Sequence, residues 1–76
     1  MELGDILNDT EIRQIMYHIN RSSERIRRNT PHEILYAPSG EINLMTKPGA
    51  ILYNLQVLSA TLRNFGYEPA APEEDD

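Results

Sequence analysis

The chain contains no cysteine and no tryptophan, and only one phenylalanine and two histidines among its 76 residues. Without cysteine there can be no disulfide, no nucleophilic thiol and no thiolate ligand. His18 and His32 alone cannot complete the four-ligand shell of a structural zinc. No apolar run approaches the roughly 20 residues that span a bilayer. The N-terminus lacks the basic-then-apolar order of a secretory signal. No glycine-rich phosphate loop is present, because Gly40, Gly49 and Gly66 each fall at a turn or helix end. These absences point to a cytoplasmic chain with no cofactor, no metal and no membrane partner.

Charge is unevenly placed. Five of the twelve acids (Glu68, Glu73, Glu74, Asp75, Asp76) fall in the last nine residues, and the other seven balance the seven Lys and Arg. The body is therefore neutral and the end acidic, the opposite of the basic domain that duplex nucleic acid attracts. Duplex binding is accordingly not expected. A chain this short buries only about 60% of its unfolded surface. Small domains make up the shortfall with disulfides, a metal or oligomerisation, and only the last remains here.

The helix signals are specific. Asn8 followed by Glu11 is a capping box, and Asp9 and Glu11 suit the positive end of a helix dipole. The first helix is predicted from Asp9 to about Arg28, with Ile12, Ile15, Met16, Ile19, Ser23 and Ile26 on one face. Asn29 suits a left-handed closure and Pro31 discourages continuation. Pro38-Ser39-Gly40 then reads as the turn of a β-hairpin over Glu33 to Met45. Its register would gather Ile34, Tyr36, Ile42 and Leu44 on one face. Pro48 suits the first turn of a second helix that Gly66 ends. The fold expected is α+β in the order α-β-β-α: a single domain over residues 1–67, then a disordered acidic tail over 68–76.

The second helix is unusual because Ala50 to Leu62 carries no charge. Ile51, Leu55, Leu58, Leu62 and Phe65 recur at spacings of four and three, the pattern of a packed helix seam. Tyr53 and Val57 lie on roughly the opposite side. A helix apolar on two sides needs cover on both. Hence Tyr53 and Val57, or Ile51, Leu55, Leu58 and Leu62, are candidates for self-association in a homo-oligomer. The bland alternative is that the first helix and the hairpin cover both sides within one monomer.

A second candidate lies on the polar face of the first helix. Tyr17, His18, Arg21, Arg25 and Arg28 share about a third of its circumference. Guanidiniums, an imidazole and a phenol suit a phosphate or a carboxylate-rich protein surface; a solvated basic face is the plainer reading. The acidic end is a third candidate, for contact with that stripe or with a basic partner. Catalysis finds little support: Ser22 and Ser23 near His18, and Glu33 beside His32, are pairings common by chance.

In class alone, small acidic cysteine-free chains with a compact body and a charged tail resemble accessory regulators, including inhibitors that phages and mobile elements encode against host machinery. The reading is a non-enzymatic regulator or inhibitor, self-associating and bound to another protein. The alternative is a binder of a small anionic ligand, such as a nucleotide or signalling phosphate, through the arginine stripe.

Overall fold

A computed structural model of the chain describes residues 6–70. Among these residues the elements are three helices: α1 (Asp9–Asn29), α2 (His32–Leu35) and α3 (Lys47–Asn64). The capping box opens α1 as its residues dictate. Glu11 N–H donates to Asn8 Oδ1 at 2.8 Å, and Asn8 N–H donates to Glu11 Oε1 at 3.0 Å. The far end differs from expectation. Asn29 stays helical and donates its amide to Arg25 O at 2.8 Å, while Thr30 leaves the helix in an extended conformation. A local side-chain bond thus satisfies a terminal carbonyl without a left-handed residue.

The expected β-hairpin, and with it the α+β class, is overturned. The described residues contain no sheet, only a single antiparallel bridge between Tyr36 and Ile42. Both arms are diverted by local bonding. On the first arm, Pro31 O accepts from Ile34 and Leu35 N–H at 3.0 and 3.1 Å, and His32 O accepts from Tyr36 N–H at 2.9 Å, so residues 32–35 coil into α2. On the second arm, Asn43 Oδ1 accepts from Met45 N–H at 3.0 Å and turns the chain immediately. The tip does reverse: Ala37 N–H donates to Glu41 O and Gly40 N–H to Ala37 O, each at 2.8 Å, with Gly40 at φ +92°. The expected apolar face also fails. Leu35 enters the core at 1% exposure, whereas Ile34 and Leu44 are exposed.

Thr46 ties the crossover to α3. Its Oγ1 accepts from Gly49 N–H as the N-cap and lies 3.0 and 3.1 Å from Ile34 O and Asn43 O. Gly49 is buried, and a Cβ there would overlap Asn43 O. Its glycine is therefore a packing requirement. At the other end Gly66 takes φ +93°, and Tyr67 N–H reaches Leu62 O at 3.1 Å while Gly66 N–H reaches Arg63 O at 2.9 Å. Those two bonds are a Schellman closure.

The core is small: Ile12, Met16 and Ile19 of α1, Leu35 of α2 and Leu52 of α3. Buried Ser23 and Ser59 complete the contact, their hydroxyls satisfied by Ile19 O at 2.9 Å and Asn20 Oδ1 at 3.0 Å. The helices run antiparallel, since Asn20 meets Ser59 while Arg13, earlier in α1, bonds Glu68 O and Ala70 N–H beyond α3. Residues 68–70 of the segment read as a disordered tail thus lie against α1; residues 71–76, and Leu3 at the other end, fall outside the described residues. The molecule measures 42 × 32 × 17 Å, with a radius of gyration of 14.3 Å. A compact chain of this length has a radius near 11 Å. This flattened shape leaves much of both long helices at the surface.

Candidate functional site

The packed line of α3 is not the heptad seam. Its buried residues are Gly49, Leu52 and Ser59, and the seam is rotated onto one flank. There Ile51 and Leu58 remain 47% and 45% exposed and Phe65 78%, with Leu55 and Leu62 half-buried. Tyr53 and Val57, on the other flank, remain 45% and 46% exposed. Among the described residues, neither apolar side of α3 is completely covered. Tyr53 borders a shallow groove of about 450 Å³ with Ile42, Leu44 and Gln56, so the loop shelters part of its side.

Helical geometry shows which residues of the two helices share a face. At about 100° per residue, Asn20, Glu24 and Arg27 fall to one side of the buried line of α1. Gln56, Ala60 and Arg63 fall to the matching side of α3. In an antiparallel pair these sides coincide, and the six residues do line one groove of about 380 Å³ with Ser59 at its floor. The opposite face then carries Ile15 and Ile26 of α1 beside Ile51, Leu55, Leu58 and Leu62 of α3. One face of the helix pair is polar and grooved; the other is apolar.

The arginine stripe forms a third surface on the back of α1. His18, Arg25 and Arg28 are exposed, and Tyr17 and Arg21 are half-buried. Tyr17 and His18 meet edge-to-face with centroids 5.3 Å apart. Glu24 binds Arg28 Nε at 3.3 Å and Arg27 Nη1 at 3.4 Å, partly neutralising that end. The surface is convex, so it offers an area of contact and no walls around a small ligand.

The Ser23–His18 pairing is not assembled. Ser23 is buried and donates to Ile19 O, turned away from His18 around the helix. His32 lies against Tyr36, ring centroids 4.9 Å apart. Among the described residues no group of three His, Cys, Asp or Glu side chains could hold a metal ion, and no helix is long and apolar enough to cross a membrane.

Sequence reasoning missed the polar groove. A signal was present: Asn20 and Arg27, like Gln56 and Arg63, stand seven residues apart beside an apolar stripe, the spacing that aligns side chains along one helix edge. Which edges meet depends on the antiparallel docking, which no local pattern specifies. No protein-family model matches this chain, and neither a curated protein nor a solved structure is significantly similar to it.

Proposed function

We propose that the protein is a small, non-enzymatic interaction protein that self-associates through the apolar face of its helix pair and binds another protein through the arginine stripe, regulating or inhibiting that partner by occupying its surface. The carrying observation is the uncovered apolar face. The seam from Ile51 to Phe65 spans about 21 Å at 1.5 Å per residue, and two helices side by side measure about 20 Å. A patch on the order of 400 Å² in projection lies in the range of a monomer's largest apolar patch, which is often a functional surface. A second copy is the natural cover, because a two-fold axis places the same patch on both partners. The seam is preferred over Tyr53 and Val57 because Ile15 and Ile26 extend it across α1, whereas Tyr53 and Val57 adjoin the polar groove.

The stripe lies roughly 110° around α1 from Ile15, so a dimer built on the apolar face keeps it outside the interface and presents it twice. Its convexity favours an acidic protein surface over a small ligand, which needs a concave site. The neutral body argues against a phosphate backbone. A cysteine-free chain of this kind suits the cytosol. Sedimentation equilibrium between about 1 and 100 µM tests the assembly: the reading expects twice the monomer mass, and a monomer throughout defeats it. Capture of a partner that Arg21→Ala and Arg25→Ala abolish supports the stripe; equal capture by wild type and variants removes it.

A further inference from the structure

We infer that the groove between α1 and α3 is a binding site for a phosphate-type oxyanion, distinct from the arginine stripe and independent of self-association. The groove is concave, about 380 Å³ in volume, and lies between the two long helices. A volume of that order is the lower end of small-molecule sites. Its donors come from both helices: guanidiniums from Arg27 on α1 and Arg63 on α3, and side-chain amides from Asn20 and Gln56.

One part-buried bond presets the Asn20 amide. Ser59 Oγ donates to Asn20 Oδ1 at 3.0 Å, and Ser59 is only 8% exposed. That bond assigns the amide oxygen as an acceptor and leaves Nδ2, which has two N–H donors, to serve the groove. A site whose amide is held by a buried partner loses little freedom on binding.

Charge completes the case. The groove's single carboxylate, Glu24, is shared between Arg27 and Arg28 at 3.4 and 3.3 Å. Arg63 has no acidic partner among the described residues. One carboxylate against the groove's own Arg27 and Arg63 leaves its lining with one guanidinium in excess. Arg27 and Arg63 line the groove from different helices, and guanidinium forks match the several oxygens of a tetrahedral anion. Free phosphate and the phosphoryl group of a small ligand share this chemistry.

Nitrogen-edited NMR of the full chain tests the site, with inorganic phosphate and AMP as separate probes at constant ionic strength and chloride as the control. The expected result is saturable shifts of the Asn20 and Gln56 side-chain amides and of Arg63 Nε–H with at least one probe. Arg63→Gln should weaken binding about tenfold or more, with the backbone spectrum otherwise retained. Arg25→Gln, on the back of α1, should bind as wild type. Response to phosphate and AMP alike points to the anion alone; response to AMP only points to a phosphorylated ligand that fills more of the groove. Non-saturating shifts with both probes overturn the inference. So do shifts that persist unchanged in Arg63→Gln, or that fall on Arg25 instead. Because the groove and the apolar face lie on opposite sides of the helix pair, the result is separable from oligomeric state.

Discussion

Replacing Leu58 with alanine probes the apolar face quantitatively. In the single chain Leu58 is 45% exposed. Fully burying a leucine contributes about 1.5–3 kcal/mol, so covering the remaining share adds about 1 kcal/mol per subunit. A two-fold interface uses the same residue from both copies, and the dimer should lose about 2 kcal/mol. That loss is roughly a 30-fold rise in dimer dissociation constant. The half of Leu58 already buried costs the monomer about 1 kcal/mol, so sedimentation equilibrium should be run well below the melting transition, with circular dichroism confirming helicity. Asn54→Ala, on the solvent side of α3, is the control and should leave the constant unchanged within about twofold. An unaltered constant in Leu58→Ala would refute the assignment of the face. A 30-fold loss in Val57→Ala with none in Leu58→Ala would move the interface to the other flank.

Two further substitutions test how the fold holds these surfaces. Gly49→Ala should destabilise the protein by about 1–3 kcal/mol in denaturant unfolding, although helix propensity alone favours alanine by about 1 kcal/mol; a gain in stability would show that the crowding at Asn43 O is relieved without cost. Asn8→Ala removes the capping box and should cost about 1 kcal/mol, read as a lower thermal midpoint with unchanged spectra at low temperature; an unchanged midpoint would mean that water replaces the cap without loss.

Local rules placed the two long helices because their determinants are local. The Asn8–Glu11 box, Pro48 in the first turn of α3 and the Gly66–Tyr67 closure each lie within one turn of the end they define. The same kind of rule misread residues 33–45. Alternation and a proline–glycine turn argue for two strands, but a hairpin must keep both arms extended over several residues. Here α2, launched at Pro31, and the Asn43 side-chain turn compete for those residues at short range. The tip reverses as expected while its arms do not extend.

By itself the sequence determined where the two long helices start, the neutral body with its acidic end, and the presence of more apolar surface on the second long helix than one side can bury. Those properties depend on residue type and on neighbours within a few positions. Tertiary structure alone decided that Leu52 and Ser59, and not the heptad seam, face α1, and that Leu35 rather than Ile34 fills the core. It also decided that Asn20, Arg27, Gln56 and Arg63 meet across one groove. The rotation of one helix against another depends on how small side chains such as Ser23 and Ser59 let backbones approach, and that fit exists only once both partners are in place.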